Sequence, residues 1–378
     1  MPNTLPILTP AFINDTLINN RIILAPMSRA SAEDDGTPTQ NMMTYYESFA
    51  KGGYGLLITE GTYTDANYAQ SYANQPGMVT ERHKLGWQNV TQAVKKTNGK
   101  IILQIFHAGA LSQHVTQSYA PSAVKPAGTM LEGYGHKQGA YDIPKTLDLN
   151  DIQAIKQGFV QAAQLAEEAG FDGVEIHCAN GYLLDQFLTD YSNERDDQYG
   201  GPLQNRIRLT CEIIREIKQR TGYAFIIGVR LSQSKANNLD YFWPNGVTDA
   251  HAIFTSVADA GVHYIHLASD MKGYTYHSRT KDKINLTAYA RDVTGLPVLA
   301  NGGLHDIELA NAVIDKKQAD FIAVGKSAMV NPDLPQKIQA GKPISEFTFD
   351  VFKYGVSIEG QLKWQSENET RRGRPEKS

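Results

Sequence analysis

Eight short apolar runs, each followed by a stretch of helical period, occupy the chain from residue 21 to about residue 330. They are RIILAP (21–26), YGLLITE (54–60), KIILQIF (100–106), DGVEIH (172–177), AFIIGVR (224–230), VHYIHL (262–267), PVLAN (297–301) and DFIAVG (320–325). Each is apolar throughout rather than alternating, the pattern of parallel strands covered on both faces. The stretch from 151 to 169 repeats apolar residues three and four apart, and Gly170 then suits the left-handed position after a helix. Gly222 and Gly261 predict helix ends of the same kind. Eight strand–helix units in about 300 residues predict a (β/α)8 TIM barrel, with a doubly wound sheet as the weaker alternative.

The longest gap between strands, 72 residues from Lys100 to Asp172, marks an insertion at 110–148. Its first part, 110–141, is rich in Gly, Ser, Gln and Pro and lacks clean periodicity, which predicts a lid or hairpin over the barrel mouth. Residues 4–20 precede the first strand and are expected to plug the barrel's bottom. Beyond Asn331 a short helical region is expected. From 367 to 378 the chain holds Arg371, Arg372, Arg374, Glu376 and Lys377 and almost nothing apolar, the composition of a frayed, solvated tail. Residues 1–366 then form a single domain.

A chain of 378 residues with 41% hydrophobic and 9% aromatic residues can bury a large core, which excludes disorder for most of its length. Lys plus Arg number 36 against 40 Asp plus Glu, and a net charge of -4 offers no basic surface for a polyanion. Nucleic acid and acidic membranes are therefore not expected as partners. Cys178 and Cys211 are the only cysteines and form no C-x-x-C pair, which argues against iron–sulfur clusters, structural zinc and a disulfide framework and suits a reducing cytoplasm. The N-terminal MPNTLPILTPAF lacks a cationic leader pattern, and no run nears the roughly 18 apolar residues of a membrane span. The reading is a soluble cytoplasmic enzyme.

In such a barrel the loops after the C-terminal strand ends build the active site. Those positions are Pro26, Met27 and Ser28; Glu60, Gly61 and Thr62; Gln104 and His107; His177, Asn180 and Tyr182; Arg230; Asn301, Gly302 and Gly303; and Gly325, Lys326 and Ser327. Glycines after strands seven and eight, with Lys326 supplying charge, suggest a phosphate site, although glycine is also the ordinary residue of such turns. Arg230 is costly to bury without a partner, so it marks either a site or a core salt bridge. His177 and Asn180 offer two hydrogen-bond donors to a carbonyl, and Tyr182 a weak acid with pKa near 10. Zinc is the rival use of His107 and His177, but no H-x-H pair, carboxylate or Cys set stands at ligand spacing, and no metal is expected. A Schiff-base aldolase needs a lysine at an inner strand end, and strands four to seven supply none. The trio Tyr241, Phe242 and Trp243 serves either acceptor specificity or packing.

The stretch HCANGYLLDQFLTDYSNERDDQYGGPLQNRIR, residues 177–208, closely resembles the signature of the Old Yellow Enzyme family of FMN-dependent oxidoreductases, H-x-A-[NH]-G-Y-L followed by N-x-R-x-D-x-Y-G-G-x-x-x-N-R. NRIILAPMSR (20–29), TEGTY (59–63), QIFHAG (104–109), APSA (120–123), VRLS (229–232) and ANGGL (300–304) continue the resemblance in order. It implies a TIM barrel holding non-covalent FMN, with NAD(P)H as reductant and an activated C=C bond, such as an enone, as acceptor. Pro26, Met27, Ser28, Gly61 and Gln104 would line the isoalloxazine, and Arg230 would lie beside its N1 and C2 carbonyl. Asn301 and Gly302 belong to the same loop as Gly303, which with Gly325 and Lys326 would hold the phosphate. His177 and Asn180 would bind the acceptor's carbonyl oxygen, and Tyr182 would deliver a proton. Three positions depart from the family: Ser28 stands where Thr or Cys is usual, Lys326 where many carry Arg, and Ala110 where HAGR is usual. Some members reach into a neighbouring subunit with a C-terminal arginine, but ETRRGRPEKS does not align with that feature; a homo-oligomer stays open, as do the physiological acceptor and the choice of NADH or NADPH. The rival functions are a lyase or isomerase acting on a phosphorylated sugar and a non-catalytic flavin-binding protein.

Overall fold

The computed structural model describes residues 5–134, 137–269 and 272–372. All eight apolar runs form strands: β1 (Ile22–Leu24), β2 (Leu56–Ile58), β3 (Ile101–Phe106), β4 (Gly173–Asn180), β5 (Ile226–Lys235), β6 (Tyr264–Leu267), β7 (Val298–Asn301) and β8 (Phe321–Val324). They pair in parallel in chain order, and the ring closes where Val324 of β8 opposes Leu24 of β1, which opposes Leu57 of β2. The expected (β/α)8 TIM barrel is the observed fold.

Outside the barrel run α1 (Gln40–Lys51), α2 (Glu81–Lys95), α3 (Leu149–Glu168), α4 (Arg208–Arg220), α5 (Val247–Ala260), α6 (Leu286–Thr294), α7 (Ile307–Asp315) and α8 (Ile358–Arg372). The starts of α1, α2, α3, α6 and α7 are set by short polar side chains that accept otherwise unpaired backbone N–H groups. Thr39 and Thr80 do so for α1 and α2, and Asp148 and Asp151 form a reciprocal capping box on α3. Gly170 and Gly261 follow α3 and α5 with left-handed φ of 86° and 107°, as expected. Gly222 does not. Helix α4 ends instead at Thr221, whose backbone is extended and whose N–H and hydroxyl both donate to the Ile217 carbonyl, so no left-handed residue is required.

Alternate residues of each strand point into the barrel. The lower layers are apolar: Ile23, Leu56, Ile58, Ile102, Ile226, Leu299 and Phe321 pack together with Ile13 and Ile18. Those two belong to a hairpin of Ala11–Ile13 and Thr16–Ile18, the plug expected within residues 4–20. Above them the lining turns polar, with Gln104, Glu175, Arg230 and His266 all buried. The Tyr264 ring crosses this layer through space that a Cβ on Gly228 would occupy, at a separation of 2.0 Å.

In the insertion, Tyr119–Ala120 pairs with Lys145–Thr146, and Thr129 bridges Ala140. Leu111, Met130 and Tyr141 cluster against Tyr182. Helix α8 runs through Glu367, the start of the expected tail, to Arg372. Its Glu367 carboxylate accepts from Tyr354 (2.5 Å) and Lys353 (3.1 Å), which fastens a segment whose composition alone reads as frayed. Arg374, Glu376 and Lys377 lie outside the described residues.

Candidate active site

The turn after β4 supplies the chemistry. Asn180 ends the strand in the left-handed region (φ 61°), Gly181 follows at φ 82°, and Tyr182 precedes a short helix, Leu183–Leu188. Two bonds hold this reversal: Asn180 N–H donates to Ser232 Oγ (2.8 Å) and Gly181 N–H to the Asp185 carboxylate (2.7 Å). The Tyr182 ring thereby returns to within 5.2 Å of the His177 ring, and Phe106 sits edge-on to Tyr182 at 4.5 Å. Burial, then the neighbouring Arg230 guanidinium, hold His177 well below the ordinary imidazole pKa, so the ring is neutral. Its Nδ1 is buried and has no hydrogen-bond partner among the described residues. Burial, then the Tyr72 hydroxyl 2.8 Å away, raise Tyr182 well above an ordinary phenol.

Around this turn stand the other expected residues. Pro26, Met27 and Ser28, half-buried, follow β1. Gly61 faces β3 so closely that a Cβ on it would meet the Phe106 ring at 3.2 Å and the Gln104 amide oxygen at 3.5 Å. Arg230 pairs in register with His177 on one side and His266 on the other. Asn301 closes β7, and its amide oxygen accepts from Ser269 N–H at 2.5 Å. Gly302 and Gly303 follow with φ of 104° and 81°, and a Cβ on Gly303 would meet nothing within 4 Å. Gly325 lies against Met27 Sδ, 3.4 Å from where its Cβ would be, and precedes the short helix Lys326–Val330. Lys326 is exposed, its Nζ 5.0 Å over the Phe349 ring.

A model of the NADH:flavin oxidoreductase / NADH oxidase family matches residues 6–345. The chain belongs to this family. An NADH oxidase of Thermoanaerobacter brockii is 32% identical over 339 residues, which make up 87% of this chain; the chain spans about half (50%) of that relative's length. A "Probable flavin mononucleotide-dependent alkene reductase" of Leishmania infantum is 32% identical over 349 residues, covering 90% of this chain and 92% of the relative. The solved Old Yellow Enzyme homologue from Zymomonas mobilis superposes with a TM-score of 0.81 at 29% identity, covering 91% of this chain and 95% of that one. The resemblance to the Old Yellow Enzyme family is borne out.

Several features of this flavin oxidoreductase family member differ from the sequence reading. Strand β5 runs five residues past Arg230 to Lys235, so a lysine does stand at an inner strand end. It is fully buried, 2.6 Å from the equally buried Asp185 and beneath the Tyr241 ring, which leaves no free amine for a Schiff base. Trp243 is packing, edge-on to Phe254, while Tyr241 also donates to Asp190 at 2.8 Å. His107 ties two loops together, accepting from Gly109 N–H at 3.0 Å and lying 3.2 Å from Asp65. Among the described residues no group of His, Cys, Asp or Glu is arranged to hold a metal ion, and no helix is long and apolar enough to cross a membrane. Tyr72, Glu175, Tyr264 and His266 were missed by strand-end reasoning. Glu175 had a signal: it stands two residues before His177 in a strand, hence on the same inward face. Tyr72 had none, because it lies in a loop rich in turns.

Proposed function

We propose that the chain is an FMN-dependent NAD(P)H oxidoreductase of the Old Yellow Enzyme type that reduces the activated C=C bond of an enone or a related electron-poor small molecule. The observation that carries this reading is the return of Tyr182 onto a neutral His177 whose buried Nδ1 has no hydrogen-bond partner among the described residues. The lining also fits a flavin. Gln104 donates its amide N–H to Glu175, so its oxygen faces Gly61 and is free to accept from a ring imide, and the Gly303 loop leaves open space for a phosphate. Pro26, Met27, Ser28, Gly61, Gln104 and Arg230 would hold the ring system, and Asn301, Gly302, Gly303, Gly325 and Lys326 the phosphate.

FMN held there would supply the hydride-transfer chemistry between nicotinamide and acceptor. Arg230 places a permanent positive charge in a buried site, where it stabilises negative charge better than in water. His177 and Asn180 donate hydrogen bonds to the acceptor's carbonyl oxygen; a neutral imidazole does this without surrendering its proton. Tyr182, kept protonated by its surroundings, delivers a proton to the α-carbon. Reductant and acceptor use the same pocket in turn, which makes turnover ping-pong.

A sugar-phosphate lyase or isomerase needs a free carboxylate or lysine at the mouth. Glu60, Glu175 and Lys235 are buried candidates, and each is engaged: Glu60 accepts the Arg29 and Ala30 N–H groups, Glu175 meets Gln104, Tyr264 and His266, and Lys235 pairs with Asp185. The free, buried Cys178 and Cys211 support a reducing cytoplasm. The insertion around Leu111, Met130 and Tyr141 would act as the lid, and 1–366 as one FMN-binding domain. The test is an absorption spectrum of the purified protein followed by anaerobic titration with each nicotinamide: yellow protein releasing FMN on denaturation, bleached by NADH or NADPH and recoloured by a cyclic enone, is expected. Replacing His177 and Asn180 together by Ala should slow recolouring at least about a hundredfold while FMN stays bound. Colourless protein, or yellow protein that no nicotinamide bleaches, overturns the reading.

A further inference from the structure

Beneath the mouth, Glu175 is a fully buried carboxylate in the middle of the barrel. It accepts hydrogen bonds from Gln104 Nε2 (2.8 Å) and the Tyr264 hydroxyl (2.9 Å) and meets His266 Nδ1 at 2.9 Å. A buried charge is retained only where it is paired and hydrogen-bonded. The barrel has made room for this one: Gly228 has no side chain, so the Tyr264 ring can pass over it to reach Glu175. Burial pushes the Glu175 carboxyl up, but His266 and then Arg230 outweigh it and keep the group below the ordinary carboxylate range. Arg230 stands in register between His177 and His266, one layer above. Three charged or chargeable side chains, Glu175, His266 and Arg230, therefore occupy two adjoining buried layers. Arg230 itself and Gln104, whose amide Glu175 holds, are the groups that would meet the flavin's pyrimidine edge.

We propose that Glu175 and His266 are positioning residues that set the reduction potential of the flavin, Glu175 by turning the Gln104 amide and by partly cancelling the charge of Arg230, and His266 by offsetting Glu175. This rests on the FMN reading of the site. The physical logic is Coulomb's law at low effective dielectric: a negative charge under the guanidinium weakens its preference for the reduced, more negative cofactor. Removing that charge favours the reduced form, and removing His266, which meets the carboxylate at 2.9 Å and offsets it when protonated, does the opposite.

The experiment is the midpoint potential of bound FMN in the wild type, Glu175→Gln, Glu175→Asp and His266→Gln, with FMN affinity and the thermal unfolding midpoint measured alongside. Glu175→Gln should shift the oxidised–reduced equilibrium at least tenfold toward reduced FMN, about 30 mV upward for a two-electron couple. His266→Gln should move it downward. Glu175→Asp, which keeps the charge, should stay nearer the wild type than Glu175→Gln even if it unfolds earlier. A merely structural role would lower stability or FMN affinity and leave the potential of the bound fraction unmoved, and that result overturns the proposal. If Glu175→Gln does not fold, His266→Gln decides by the same criterion. Wild-type protein without FMN overturns the functional reading and this inference together; yellow variants with the wild-type potential overturn this inference alone.

Discussion

The hydroxyl oxygens of Tyr72 and Tyr182 lie 2.8 Å apart, joining the loop after β2 to the turn after β4. Tyr72 is itself buried beneath the Tyr134 ring, 4.9 Å away. One hydroxyl of the pair must donate and the other accept, so the direction in which Tyr182 presents its proton depends on Tyr72. Tyr182→Phe deletes the proton source, and reoxidation of the flavin by a cyclic enone should slow by about 10² to 10⁴ while reduction by NAD(P)H is unchanged. Tyr72→Phe removes one hydrogen bond worth about 0.5 to 1.5 kcal/mol, so it should slow the same step by up to about tenfold. Stopped-flow traces of the two half-reactions decide; equal slowing of both removes the pair from proton delivery.

Lys326 reaches solvent from the start of the short helix after β8, with its ammonium over the Phe349 ring. Lys326→Ala should weaken FMN binding by about 1.5 to 3 kcal/mol, the range for a hydrogen bond to a charged group, without unfolding the barrel. Exposure places the effect toward the lower end, because water screens the charge. Fluorescence titration of the apoprotein with FMN measures it, and wild-type affinity in the variant would mean that the backbone of the Gly303 loop holds the phosphate unaided.

The barrel was legible because parallel strands buried on both faces must be apolar throughout, and all eight such runs became strands. Strand ends were less so. Arg230 marks the last residue of an apolar run, yet β5 continues through LSQSK, where Lys235 and the Gln233 amide N–H find partners distant in sequence, Asp185 and the His277 and Arg279 carbonyls. The residues at the mouth were found because position in the barrel alone nominates them. Tyr72 and His266 were not, since their roles arise from contacts across 110 and 91 residues of chain that no local pattern announces.

Glu60, buried after β2, accepts both Arg29 N–H (2.8 Å) and Ala30 N–H (3.0 Å) on one carboxylate oxygen. Burial is the dominant influence and raises its pKa from 4.5 to about 7, despite those bonds. A folded-state pKa above the unfolded one means that the folded protein binds more protons between the two values. The contribution of Glu60 to stability is thus fully present below pH 4.5 and is lost as pH rises through about 7. Glu60→Gln keeps an oxygen for both N–H groups and cannot ionise. Its stability relative to wild type should therefore rise with pH across this window, by at most about 1.4 kcal/mol per pH unit, and level off above it. Urea unfolding at a series of pH values tests this, and parallel curves for the two proteins would show that Glu60 stays charged throughout.

Lys235 and Asp185 form an ion pair in which both side chains are fully buried. The carboxylate also accepts from Gly181 N–H, so it anchors the turn that carries Asn180 and Tyr182. Lys235→Met matches the stem's length but strands the carboxylate in the core, and removing one partner of such a pair typically costs about 3 to 5 kcal/mol. Pairing it with Asp185→Asn removes the uncompensated charge while keeping an acceptor for Gly181. The double variant should consequently be more stable than Lys235→Met alone, a strongly non-additive cycle. Both single changes loosen the turn, so enone reduction should fall further than FMN affinity does. Unfolding at saturating FMN, which holds the contribution of the cofactor constant, isolates the pair. Additive losses would show that the ion pair contributes no coupling, and that the turn is held by Ser232 and the backbone alone.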